Sequence, residues 1–147
     1  MSGLIHAHSG LRYLIVLGFI WVIFNFISGS KKPYAGSVKK GFLITMILLH
    51  IQMVMGFILY FTSEKSALVF EDFGMAMGNN LTRFYGLEHM LGMIVGITLA
   101  TIGYSKAKRM TDLVAAHKKA FLLYLIAFVV IFISIPWPFL KDFGTWF

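Results

Sequence analysis

Hydrophobic residues fall into four long runs, at about 4–28, 41–61, 82–104 and 118–135, each bounded by charges, glycines or prolines. About 20 helical residues span the roughly 30 Å hydrocarbon core of a bilayer, so each run predicts one transmembrane helix. The first connection is marked as a tight polar loop by Ser30, Pro33, Gly36 and Ser37, and Pro136-Trp137-Pro138 stops the last helix. The connection at 62–81 is longer. Its Ala67-Leu68-Val69-Phe70 with Phe73 predicts a short amphipathic piece lying on the membrane interface. Short connections between four spans give an all-α, integral membrane, up-down-up-down four-helix bundle, a single domain over 1–147.

Composition agrees. Of 147 residues, 59% are apolar and 13% charged, against about 45–50% and about 25% in soluble domains. The formal charge of +7 would suggest nucleic acid if it covered one folded face, but it does not. Lys31, Lys32, Lys39 and Lys40 follow the first span, and Lys106, Lys108, Arg109, Lys118 and Lys119 surround the connection after the third. The middle connection instead holds Glu64, Glu71 and Asp72 against Lys65 and Arg83. The positive-inside rule places both basic loops in the cytoplasm and both termini outside, on the periplasmic side. The expected contact is membrane lipid, with no nucleic acid. The N-terminus lacks a basic n-region and a small-residue cleavage site, which predicts that helix 1 is a permanent anchor. The tail aromatics Trp137, Phe139, Phe143, Trp146 and Phe147 fit an outer interfacial belt. With no cysteine, disulfides, thiolate metal sites and c-type haem attachment are excluded.

Histidines are the exception within this apolar chain. His6, His8, His50, His89 and His117 put one in, or at the entrance of, every span. His6, His8 and His117 lie near interfaces, where water or headgroups can satisfy them. His50 lies near mid-span, where an unpartnered imidazole costs several kcal/mol. At about 1.5 Å per residue, His8 is about 6 Å and His89 about 10 Å below the outer end, whereas His50 is about 16 Å and His117 about 27 Å deep. His8 and His89 are therefore level on diagonal helices. Two imidazoles opposed across a bundle core suggest a bis-histidine haem b. His50 with His117 is a second candidate pair, about 10 Å out of step, and His50 with His89 is another, about 6 Å apart in depth.

Helix 3 carries Gly86, Gly92, Gly96 and Gly103 on the face of His89. This stripe gives flat room for a cofactor, or equally an ordinary seam for close helix packing. Arg12, one turn below His8, and Arg83, six residues before His89, are candidate partners for haem propionates. Glu88 can pair with either. Gln52, Tyr60, Asn25 and Thr45 are expected to make interhelical hydrogen bonds. The nine methionines offer a different chemistry, since thioethers select copper(I) and Met75-x-Met77 is the pair to test, although methionine also fills apolar cores. The alternatives to a haem protein are thus a copper or other metal-handling protein, or a structural or assembly subunit. No constellation of nucleophile, base and orienter marks substrate chemistry.

The run His6-Ala7-His8-Ser9-Gly10-Leu11-Arg12-Tyr13, His50-x-Gln52 with Gly56 and Tyr60, Arg83-Phe84 followed by Glu88-His89, and Ile135-Pro136-Trp137-Pro138-Phe139 together resemble the small four-span membrane proteins labelled cytochrome b in Bacteroidota. The resemblance covers nearly the whole chain. It implies an inner-membrane b-type haem protein passing electrons to or from quinone or a partner respiratory subunit, with His8, His50, His89 and His117 as matching positions and one or two haems. Other redox subunits or a second copy are the protein partners it leaves open.

Overall fold

Each hydrophobic run folds into one long helix. The computed structural model describes residues 2–146, apart from the Lys65 side chain, so Phe147 lies outside the described residues. Helices α1 (Ser2–Ile27), α2 (Gly36–Thr62), α6 (His89–Ala107) and α7 (Leu113–Ser134) are the long elements. Between α2 and α6 come α3 (Glu64–Glu71), α4 (Phe73–Gly78) and α5 (Asn80–Arg83), then a π turn (Phe84–Glu88) that runs directly into α6. The third span is therefore continuous over 80–107. Helices α2 and α7 begin about a turn before their apolar runs do. Lysine is a good helix former, and Lys39, Lys40, Lys118 and Lys119 are all exposed, so they end the hydrophobic pattern without ending the helix. Asp112 caps α7 by accepting from the amides of Val114 and Ala115, both at 2.9 Å. The connection at 62–81 is more ordered than its amphipathic stretch suggested, because Asp72 and Asn79 cap two further short helices.

Helix α1 packs on α2 and α7, and α6 packs on the same two, which leaves α1 and α6 facing each other across the bundle. The tightest seam is α6 on α7. A Cβ on Gly92 would lie 2.0 Å from Ser134 Oγ, and one on Gly96 would lie 2.4 Å from Ile131 Cγ1. Ala100, Ala116, Ala120 and Ala127 are fully buried alongside. The glycine stripe is thus a packing surface toward α7. Gly96→Val is expected to destabilise the bundle by about 1–3 kcal/mol through overpacking, read as an earlier unfolding midpoint in detergent. An unchanged midpoint would contradict this seam.

Outward-facing positions are apolar: Phe24 is 64% exposed, Leu17 59% and Ile133 60%. Four helices with such surfaces, each long enough to cross a bilayer, make a multi-pass membrane protein in which these side chains meet lipid. Several polar groups inside the spans find protein partners. Gln52 and Tyr60 bond across helices, to the carbonyls of His8 and Gly86. Asn25 and Thr45 do not, contrary to expectation, because their short side chains reach the carbonyls of Trp21 and Gly41 one turn back on their own helix. After α7 the tail returns to the N-terminal half of α1, so both described termini share one end of the bundle and the basic loops hold the other. Trp137 departs from the expected belt. It is only 5% exposed and stacks on Phe139, while Phe139 and Trp146 remain on the surface.

Candidate functional site

The diagonal helices α1 and α6 bring two histidines together near the end that carries the termini. The π turn immediately precedes His89, whose amide donates to the carbonyl of Phe84 five residues earlier. Such turns are rare and recur at functional sites. His89 Nδ1 lies 2.7 Å from the carbonyl oxygen of Ser134 on α7. A carbonyl only accepts, so in the neutral ring Nδ1 carries the proton and Nε2 keeps its lone pair. The rings of His8 and His89 are 6.2 Å apart between centres, with their planes at 74°. Gly56 on α2 makes room for His8, since a Cβ there would stand 3.3 Å from Cε1 of its ring.

These rings line a cavity of about 320 Å³ in the bundle interior, within the range of about 300–1,000 Å³ common for small-molecule sites. Its walls are mainly apolar, with Ile15, Leu49, Met53, Met93, Ile97 and Ile131 among them, and Arg12, Gln52 and Tyr60 supply polar atoms.

Arg12 is buried, with 6% exposure, and does not reach out to headgroups. Its Nη2 donates to the carbonyls of Thr145, at 2.7 Å, and Trp146. The guanidinium also lies 5.0 Å from the centre of the Trp137 ring. Tyr13 adds a bond from its hydroxyl to the Trp146 carbonyl at 2.6 Å. Arg12 is therefore the pin that folds the tail over the cavity, which Thr145 and Pro136 help to line. Bonds from a charged donor contribute about 1.5–3 kcal/mol each. Arg12→Met is expected to loosen the tail by about 3 kcal/mol or more, speeding amide exchange at Leu140, Lys141 and Gly144 about 100-fold. Unchanged exchange there would show that the aromatic packing alone holds the tail.

The other expected site residues lie elsewhere. Arg83 is half-exposed and pairs with Glu88 at 2.8 Å, while also donating to the Met77 carbonyl and the Asn80 side chain. It belongs to a surface network, and Lys141 sits on the far oxygen of Glu88 at 3.8 Å. Gly92 faces Ser134 instead of opening onto the cavity. His50 solves its mid-span problem locally, with Nδ1 2.8 Å from the Met46 carbonyl and Nε2 3.4 Å from the Thr101 hydroxyl. His117 is buried at the basic end, where Nδ1 meets the Lys32 carbonyl at 3.0 Å and the ring lies edge-on to Phe26 and Phe42. These two histidines have separate surroundings and do not form a pair. His6 is exposed. Met75 and Met77 are two residues apart on α4, so their side chains do not converge. Among the described residues, no group of three or more His, Asp or Glu is placed to hold a bare metal ion.

Two features of the site had no strong signal in the chain. Ser134 acts through its backbone carbonyl, which no side-chain pattern reports. The π turn reflects a local choice among hydrogen-bond partners at Phe84–Glu88. Gly56, by contrast, sits four residues from Gln52 on one helical face, and that spacing marks a notch in α2. Comparison of the chain with family models, curated proteins and solved structures finds no match.

Proposed function

We propose that this chain is a b-type haem protein of the bacterial inner membrane that passes electrons, and that His8 and His89 would hold its iron. The observation that carries the reading is the facing pair of imidazoles. Two imidazoles that both bound one iron would hold their ring centres about 6.3 Å apart, from a metal–nitrogen bond of about 2.0–2.1 Å and about 1.1 Å from nitrogen to ring centre on each side. The observed separation is 6.2 Å. A haem supplies four ligands of its own and takes two from the protein, the number that this pair of histidines offers.

Bound haem supplies one-electron exchange at its iron. The chain's own residues hold and tune the site. The Ser134 carbonyl accepts the Nδ1 proton of His89, fixing that ring and making its other nitrogen a stronger donor. The apolar walls exclude water. The buried charge of Arg12 favours an anionic group on the ligand, such as a propionate, at the tail end of the cavity. Arg83, paired with Glu88, plays no part in this. The basic loops face the cytoplasm by the positive-inside rule, which places the haem near the periplasmic surface. A quinone or another membrane redox subunit is the partner this reading proposes.

The absorption spectrum of detergent-purified protein tests this reading. Reduced protein is expected to show the sharp alpha and Soret bands of six-coordinate haem b. A colourless preparation from haem-replete cells sinks the proposal, and bound copper by elemental analysis would then favour the metal-handling alternative.

A further inference from the structure

A second, smaller hollow of about 220 Å³ lies between α2 and α6, lined by His50, Met53, Ile97, Thr98, Thr101 and Ile102. Thr98 and Ile102 are exposed, so it opens toward lipid. His50 lies near the middle of α2, which sets the hollow about 15 Å from either headgroup layer, where water is scarcest. Polar side chains at that depth are costly and mark sites by default.

The hydrogen bonds of His50 leave one atom short. The Met46 carbonyl, 2.8 Å from Nδ1, can only accept, so in the neutral ring Nδ1 carries the proton and Nε2 a lone pair. The Thr101 hydroxyl lies 3.4 Å from Nε2, but only 2.7 Å from the Ile97 carbonyl. A hydroxyl has one proton, and the shorter contact takes it, since 3.4 Å is beyond the usual range for a bond from a hydroxyl. Nε2 is therefore an acceptor with no donor among the described residues, and lipid tails carry none. A water's share of liquid volume is about 30 Å³, so the hollow is several times too large for one bridging water.

We propose that this hollow binds the ring of a membrane-soluble phenol, whose hydroxyl donates to Nε2 of His50. Such an occupant dissolves in hydrocarbon and brings the proton that Nε2 requires. Its ring suits the Met53 thioether on the wall, because sulfur packs favourably on aromatic rings. Thr98, one turn before Thr101, adds a second hydroxyl to the same hollow. Met53 and Ile97 also line the cavity of His8 and His89, so the two spaces share a wall. A hydroquinone is a phenol of this class. Its role as redox partner rests on the haem reading above; binding of the phenol does not.

The test is equilibrium binding of 4-decylphenol to the full chain in lipid nanodiscs, with empty nanodiscs as reference, beside 4-decylanisole, in which a methyl ether replaces the hydroxyl. Wild type is expected to bind the phenol about tenfold more tightly than the ether, and His50→Leu should erase this preference. Labelling with ¹⁵N-histidine reports the atom itself. The Nε2 resonance of His50, assigned by its loss in His50→Leu, should move upfield on adding the phenol and stay fixed with the ether. Thr101→Val should leave that resonance in place in the ligand-free protein. A downfield shift there would give the Thr101 proton to Nε2 and overturn the proposal. Equal binding of phenol and ether by wild type, or a preference that survives in His50→Leu, overturns it as well. The absorption spectrum separates this failure from that of the haem reading, because 4-decylphenol needs no haem to bind. Phenol preference in a colourless protein rejects the cofactor alone, and haem bands without the preference reject the hollow alone.

Discussion

His89→Ala is expected to lose haem completely under purification, with more than about 100-fold weaker binding, because removing a ligand exceeds the 10–100-fold cost of removing its hydrogen-bonding neighbour. The fold should survive. His89 contributes one bond to Ser134, while the α6–α7 seam is made by Gly92, Gly96 and Gly103, which the substitution leaves alone. His8→Ala should behave in the same way. His50→Ala and His117→Ala should keep full haem content, since neither side chain lines the cavity that His8 and His89 share. Pyridine haemochrome assay of the four purified variants measures this directly. Loss of haem from His50→Ala with retention in His8→Ala would move the site to another histidine pair.

The second large effect is expected at Gly56. Alanine there meets the His8 ring edge at 3.3 Å, a contact the ring can relieve by a shift of a few tenths of an ångström. Leucine cannot be placed in that way, because its branches would extend into the volume the ring and cavity share. Gly56→Leu should therefore cut haem occupancy more than about tenfold, with helical content retained, while Gly56→Ala keeps the haem and shifts its potential. Circular dichroism with haem content separates this from unfolding. Normal occupancy in Gly56→Leu would mean that His8 does not stand where the notch holds it.

The spans were legible because the bilayer imposes a length and an apolar composition that few other constraints imitate. Depth counting alone also put His8 and His89 level, and both rings do line one cavity. The direction of side chains was less readable. Gly92 lies three residues after His89 and meets the same residue of α7, Ser134, so close helix packing takes up the flat room that the glycine stripe suggested. Arg83 and Glu88 are five residues apart across the π turn, where helical spacing rules do not hold, and there they pair. The tail was read as an interfacial belt from its aromatics, and Phe139 and Trp146 are exposed, but the buried charge of Arg12 needs carbonyl partners and turns the backbone of Thr145 and Trp146 toward it.

The central claim is that His8 and His89 together ligate one iron. Low-temperature electron paramagnetic resonance of the oxidised protein tests it most directly. If the two rings held an iron with their planes near the observed 74°, the iron orbitals that mix with ligand π electrons would lie close in energy, so the account predicts a strongly anisotropic low-spin ferric signal, lost in both His8→Ala and His89→Ala. A high-spin axial signal in wild type, or a copper hyperfine pattern in its place, would contradict it.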